Sequence, residues 1–370
     1  MSNLTRVRAK SQPKSKQRSK PVVPSTWIGI DLGDRWSEVC LVDDAGEVTG
    51  RTRVQTNPKA FKQFFTPFAG APVAIETGAH SAWASRELAD CGLAVTVANA
   101  REVRKIHLSS KKNDKADAEI LARMLRFDRA LLSPVQHRSA EAQADLAIVR
   151  ARDTVVRSRT RCINAVRGLT KASGHRLPKC SADSFHRAVD ALISPTLQPA
   201  LKPLLELIAS LTAQIRRYDS TIEALAQERY PQTALLRQVD GVGPVTSVAY
   251  VLTLGEVQRF TQSRDVGPYL GLVPRQYDSG DQQSQLPITK AGNRYLRRLL
   301  VGSAQYILGP FGPDCRLRRF GDRMMQRGGK NAKKRAVVAV ARKLAVLLHH
   351  LWATGAAYDP FYGAAIAQAA

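Results

Sequence analysis

The chain has 370 residues, with 56 Lys and Arg against 31 Asp and Glu and a formal net charge of +25. That length accommodates two or three domains, and so large a positive excess calls for a polyanionic partner, nucleic acid ahead of a membrane surface. No apolar run has the length of a spanning helix, the Met1 start lacks the apolar core of a signal peptide, and the five cysteines (Cys40, Cys91, Cys162, Cys180, Cys315) stand singly, which argues against a zinc site or a disulfide framework and for a reduced, cytosolic protein.

Residues 1–25 carry Arg6, Arg8, Lys10, Lys14, Lys16, Arg18 and Lys20 with no acid, the composition of a disordered basic arm. The first folded region opens with Trp27-Ile-Gly-Ile-Asp-Leu-Gly33, read as a buried strand that ends on Asp31, with Gly33 freeing the backbone to turn. Trp36–Val42 and Val48–Val54 read as second and third strands about the Asp43-Asp-Ala-Gly46 turn. Pro58–Phe68 reads as a helix, Pro72–Ile75 as a strand ending on Glu76, Ser81–Cys91 as a helix and Leu93–Ala98 as a strand. After a basic stretch from Arg101 to Lys115, a helix opens near Lys112 and runs through Leu125. Asp114 and Asp117, three apart, share one face of it. Such a pair either binds a divalent cation with Asp31 and Glu76 or consists of N-terminal acids favoured by the helix dipole. A strand that delivers an acid to its end is found both in ribonuclease-H-like nucleases and in actin-like ATPases, but the glycine-rich phosphate loops of the ATPases are not evident.

From Ala140 to Ala172, apolar residues at helical spacing alternate with many arginines, 174–194 is irregular, and Leu197–Arg229 repeats Leu and Ile at three- and four-residue steps. This predicts an antiparallel helical pair or coiled-coil arm, a possible dimer contact. Further on, Gly241-Val-Gly243 between two helices has the form of a helix-hairpin-helix element, whose N–H groups point at a phosphate, or of a plain turn. Ser279 sits in a loop ahead of Lys290, Arg294, Arg297 and Arg298, a cluster suited to phosphates. A last basic loop, with Lys333, Lys334 and Arg335, enters an amphipathic helix over 336–352.

Asp31, Glu76, Asp114 and Asp117 reproduce a DEDD tetrad, and Gly271-Leu-Val-Pro274, Ser279-Gly280, Ile288-Thr-Lys-Ala-Gly-Asn293 and Leu296-Arg297 resemble the C-terminal domain of DEDD insertion-sequence recombinases, the "one-ten" family, with its related site-specific DNA invertases. The resemblance covers nearly all of the chain after the basic arm. It implies an α/β plus α architecture: a RuvC-like (ribonuclease-H-like) domain over 26–130, a helical coiled-coil region over 131–232, a small, mainly helical transposase domain over 233–362, and a tail over 363–370. It further implies Mg²⁺ (or Mn²⁺) on the four acids, Ser279 as a nucleophile that forms a phosphoserine link to DNA, double-stranded DNA partners at element ends and target, a structured guide (bridge) RNA, a dimer to tetramer, no membrane, and a bacterial, nucleoid-associated location. Ser284 and Ser303 are fallback nucleophiles. His80 reads as a general base or, in preference, as a structural histidine. Asp34 and Asp278 are extra acids to which the resemblance assigns no role. Two other functions are open: a Holliday-junction-type nuclease that uses the acids and water alone, and a non-catalytic nucleic-acid-binding protein.

Overall fold

A computed structural model of the chain describes residues 26–106, 114–276, 278–279, 282–283 and 286–361, without the side chains of 104–106, 278–279 and 282–283. The basic arm, the tail, Ser284 and part of the stretch between Arg101 and Lys115 lie outside the described residues. The chain forms two compact units, Met1–Arg138 and Ser139–Ala370.

In the first unit, β1 (Trp27–Asp31), β2 (Trp36–Val42) and β3 (Val48–Gln55) form an antiparallel meander. It is followed by α1 (Pro58–Phe65), β4 (Pro72–Glu76), α2 (Ser81–Asp90), β5 (Ala94–Ala98), α3 (Ala100–Ile106) and α4 (Asp114–Phe127). Strand β4 pairs parallel with β1, with Ile30 opposite Ile75, and β5 pairs parallel with β4, so the sheet order is β3-β2-β1-β4-β5. The strands and helices read from the apolar runs are present to within a few residues of their expected ends.

Side chains alternate across the sheet. Ile28, Ile30, Val73 and Ile75 pack with Phe61 and Phe65 of α1 and with Ala84 and Leu88 of α2. The opposite face is covered by α4: Ala118 and Ala122 pack with Cys40 and Val42, and Leu121 and Leu125 pack with Ala74 and Ala98. Gly29 faces α4, and a Cβ on it would lie 2.0 Å from the Ala118 carbonyl oxygen and 2.5 Å from the Ala122 nitrogen. Only hydrogen at that position lets the helix backbone lie on the strand. The far side of α4 is tied to the meander by Glu119, which accepts from Arg51 of β3 and from Arg123 one turn along the helix. The bond from Arg123, outweighing partial burial and helped by Arg51, holds the Glu119 carboxyl below its usual range.

In the second unit, α5 (Ala140–Ala172) and α7 (Gln198–Glu228) flank the short α6 (Phe185–Asp190), which falls in a stretch expected to be irregular. Asp145 accepts from Arg229 and Tyr230, Arg152 meets Asp219, and Arg159 reaches Thr212. Partners that rise in number along one helix and fall along the other make the pair antiparallel, as the periodicity predicts, and thirty-odd residues extend it to about 45–50 Å. At one end Phe185 and Val189 of α6 close a small core with Val166, Leu201 and Ile208. At the other end Leu146, Val149 and Ile222 enter a larger core with the C-terminal helices. These are α8 (Thr233–Arg237), α9 (Pro244–Leu254), α10 (Val266–Tyr269), α11 (Arg294–Ile307), α12 (Arg316–Gln326) and α13 (Ala332–Thr354), with a two-residue hairpin of β6 (Asp278–Ser279) and β7 (Gln282–Gln283) before α11. The middle helices and the C-terminal helices thus share one apolar core.

The α13 helix corrects one expectation. At 23 residues it is long and apolar enough to cross a membrane by length and composition, although the sequence pattern predicts no run of that length. Val340, Leu344 and Leu348 are fully buried in the unit's core, and Lys333, Lys334, Arg335, Arg342 and Lys343 lie along the same helix, which makes it a core helix with a basic face. Cys40, Cys91 and Cys315 are buried and all five cysteines are free thiols, in keeping with packing roles.

Replacing Gly29 by alanine inserts a methyl group into the α4 backbone. The expected cost is about 3 kcal/mol or more, read as a clear drop in the midpoint of thermal unfolding. A Gly50→Ala change, which meets only the movable Leu41 side chain, serves as the control.

Candidate active site

Asp31 ends β1 on the α4 face, two residues beyond Gly29. Asp114 and Asp117 occupy the first turn of α4. Because α4 lies directly on Gly29, its first turn is held near the end of β1. Carboxylate oxygens of Asp31, Asp114 and Asp117 all lie within 4.8 Å of one another. Glu76 ends β4, one residue past the Ile30–Ile75 pair, and by alternation it shares the face of Asp31. Its carboxylate is outside the group of three. Two carboxylates 4 Å apart repel by about 1 kcal/mol in bulk water and about 4 kcal/mol at an effective dielectric of 20. The helix dipole at the start of α4 offsets part of this, and a divalent cation converts the rest into attraction. An all-oxygen donor set of this kind fits a hard cation such as Mg²⁺ or Mn²⁺ and does not fit a metal that prefers nitrogen or sulfur.

His80 stands just before α2. Its Nδ1 accepts from the Trp83 indole at 3.1 Å and its Nε2 lies 3.6 Å from an Asp34 carboxylate oxygen. The Trp83 bond engages one ring nitrogen and supports the structural role, while the contact with the exposed Asp34 is longer than a hydrogen bond.

In the second unit the predicted cations divide into two groups. Arg297 donates to the carbonyls of Leu270, Ala291 and Gly292, tying the start of α11 to the preceding turn. Arg298 pairs with Asp153 of α5 and stacks on Tyr295. Burial would raise the Asp153 carboxyl, but its bonds to Arg298 and Arg157 outweigh that and hold it low. Lys290, at φ +57°, and Arg294 are exposed, as are Lys333, Lys334 and Arg335 at the start of α13, although Arg335 also donates to the Gly328 carbonyl. Gly241 has φ +83° and lies against Tyr306 and Ser303, where a Cβ would come within 2.9 Å of the tyrosine ring. Gly243 is the N-cap of α9 and supplies no side-chain cap. Gly241 is therefore required by packing, and Gly243 begins a helix with uncapped N–H groups. Ser279 and Asp278 form β6, and their side chains lie outside the described residues, as does Ser284. Ser303 is 4% exposed on the core face of α11, closed to a DNA phosphate.

Residues 28–172 match the DEDD transposase family model of the IS110 group, and residues 233–317 match the model described as "Transposase IS116/IS110/IS902 family". The chain belongs to the IS110/IS116 family of DEDD transposases. It is 27% identical over 304 residues to the transposase for insertion sequence element IS1111A of Coxiella burnetii, covering 79% of this chain and 80% of that protein. To a "Probable family 20 transposase" of Pseudomonas aeruginosa it is 28% identical over 342 residues, 90% of this chain and 98% of the relative. To the transposase for insertion sequence element IS1328 of Yersinia enterocolitica it is 29% identical over 284 residues, 76% and 83% of the two. For this transposase the DEDD domain implies that the five-stranded sheet with its helices is RuvC-like.

Sequence reasoning passed over the residues that hold the acids in place. The Glu119–Arg123 pair was visible as an i,i+4 pair of opposite charge, but the Arg51–Glu119 bond joins residues far apart in the chain and had no local signal.

Two measurements test the site. Unfolding of the wild-type protein is expected to shift upward with added Mg²⁺ or Mn²⁺, by about 2.7 kcal/mol at about 100 times the dissociation constant. Asp31→Asn, Asp114→Asn and Asp117→Asn should each abolish that shift while leaving the metal-free protein as stable or slightly more so. Arg294→Ala should weaken DNA binding without moving the unfolding midpoint, whereas Arg297→Ala, which leaves three carbonyls short of a donor, should lower stability by about 1–3 kcal/mol.

Proposed function

We propose that this transposase cuts and rejoins DNA strands at element ends and target through a covalent phosphoserine link, with the DEDD acids and Ser279 forming the two halves of one active centre. The observation that carries the reading is the convergence of Asp31, Asp114 and Asp117 at one end of the sheet in a member of a DEDD transposase family. A divalent cation, when bound there, neutralises the charge that develops on phosphoryl oxygens and makes a hydroxyl a better nucleophile. The carboxylates hold that charge at a fixed point, and Gly29 and Glu119 keep α4 from drifting away from it.

In the proposed chemistry the Ser279 hydroxyl attacks a DNA phosphate. A bond forms from its oxygen to phosphorus, the bond from phosphorus to a deoxyribose oxygen breaks, and the serine proton ends on the released sugar hydroxyl, directly or through a relay. In the reverse step the hydroxyl of another strand attacks the phosphoserine and Ser279 regains its proton. The number of phosphodiester bonds is conserved, so no external energy source is required. Lys290 and Arg294 are the exposed cations suited to hold the phosphate. Glu76, on the same face as the other acids, completes the tetrad. A structured guide RNA that pairs with donor and target, and assembly into a dimer or tetramer at the nucleoid, belong to the same reading. The excess of positive charge supports a polyanionic partner, and the RNA and the assembly are what the family resemblance implies.

The test is a strand-exchange assay with divalent cation, with and without RNA transcribed from the element's flanks, resolved on denaturing gels. Wild type should give a protein–DNA adduct, and Ser279→Ala should give none while still binding DNA. Asp31→Ala and Asp117→Ala should lose activity by a factor of about 10³ or more. Cleavage that persists in Ser279→Ala would overturn the serine mechanism and favour a nuclease that uses activated water.

A further inference from the structure

The second unit contains a large groove that neither the acid cluster nor the Ser279 chemistry uses. Its volume is about 1260 Å³, above the roughly 300–1,000 Å³ of a pocket for a drug-sized molecule. One wall is α12, the other is α13, and Leu272, Pro274 and residues 286–288 line it as well. Seven cations line it: Arg316 and Arg323 of α12, Lys330, Lys334 and Arg335 around the start of α13, and Arg342 and Lys343 farther along. Among the described lining residues there is no carboxylate. Between the cations lie apolar surfaces, chiefly Phe320, Met324, Val338 and Val346.

The arginines of α12 are sorted by face. Arg318 donates to the carbonyls of Ile307, Gly309 and Gly312, and Arg319 grips Asp314. Those two hold the fold, while Arg316 and Arg323 line the groove. Lys343 lies over the Phe320 ring at 4.5 Å. Burial and the neighbouring Arg316, Arg323 and Arg342 push its ammonium below the usual range, so the cations crowd one another. The α13 helix also begins without an acid in its first turn and without a side-chain cap. It presents Lys333, Lys334 and Arg335 instead, at the end where the helix dipole disfavours cations. The crowding of the cations and the uncapped, cation-rich start of α13 are costly in the absence of an anion and favourable with a chain of phosphates in place.

We propose that this groove is the track for an unpaired DNA strand, with phosphates on the cations and unstacked bases against Phe320 and its apolar neighbours, the Lys343 ammonium moving from the ring of Phe320 to a phosphate. This rests on the reading of the protein as a DNA-acting transposase. A duplex keeps its bases stacked inside and leaves an apolar wall without a partner, whereas single-strand sites combine a cationic groove with an aromatic platform. DNA rather than RNA is the occupant because the proposed function acts on DNA strands. Position favours the same occupant. Pro274 and Ile288 form a β-bridge and both line the groove, and they are the stem from which the β6–β7 hairpin with Ser279 projects. A strand opened for cutting would be led along the groove to the base of that hairpin.

The test needs no catalysis and is run on the full chain in EDTA. A short oligothymidylate carrying 5-iododeoxyuridine is irradiated with the protein and the crosslinked peptides are identified. The expected crosslinks fall on Phe320, Met324 or Tyr358, and are competed by unlabelled single-stranded DNA but poorly by duplex or by oligouridylate. In parallel, the double variant Arg323→Glu/Lys334→Glu should weaken oligothymidylate binding by about tenfold or more, and Phe320→Leu by about fivefold or more, with duplex binding much less affected. Crosslinks only outside the groove, equal losses for duplex and single strand, or better competition by oligouridylate than by DNA would each overturn the proposal. Failure of the wild type to bind any DNA would instead remove the function on which it rests.

Discussion

The first unit depends on the approach of α4 to β1 at Gly29. A helix normally rests on a sheet through a layer of side chains, with its backbone held off by their bulk. Here a Cβ at position 29 would lie 2.0 Å from the Ala118 carbonyl, so the helix and strand meet almost backbone to backbone. Ala118 and Ala122, both small, continue the contact, and the Arg51–Glu119 pair pins the helix from the side of the meander. The consequence is geometric. The first turn of α4 has no freedom to stand away from the end of β1, and the three carboxylates are kept together against their mutual repulsion by apolar packing elsewhere in the unit. The site is therefore preorganised by a contact that carries no chemistry of its own.

What the sequence made legible follows from which interactions are local. Strand ends could be read because short apolar runs stop at Asp31 and Glu76. The shared face of Asp114 and Asp117 could be read because a spacing of three fixes it on any helix. The antiparallel sense of α5 and α7 could be read because two long periodic stretches are joined by a short irregular one. The role of Gly29 could not be read, since the chain gives no sign that a helix ninety residues later needs its missing side chain. The same limit applies to Arg297 and Arg298. In sequence they match Arg294 as phosphate ligands, and only the folded chain turns one toward three carbonyls and the other toward Asp153. Glu76 shows a finer version of this limit: strand alternation fixes its face but not whether its carboxylate reaches the other three.

The net charge of +25 is also resolved by the fold. Arginines of the long helical pair are matched to acids, as in Arg152–Asp219, Arg159–Asp183 and Arg229–Asp145, and serve the architecture. The cations that line the groove, on α12 and on one side of α13, have no carboxylate beside them among the described lining residues. Composition reports only the sum of these two populations. Their separation bears on function, because a cation already paired to an acid has less left to offer a phosphate.

A helix such as α13 shows how one element can satisfy both demands. Its inner side, with Val340, Leu344 and Leu348, is apolar enough to resemble a membrane span, yet those residues form the centre of the unit's core. Its other side carries Lys334, Arg342 and Lys343 into the groove. Core packing fixes the rotation of the helix about its axis, and that rotation sets the spacing of the cations. The packing that stabilises the unit and the placement of the cationic row are therefore set by the same helix.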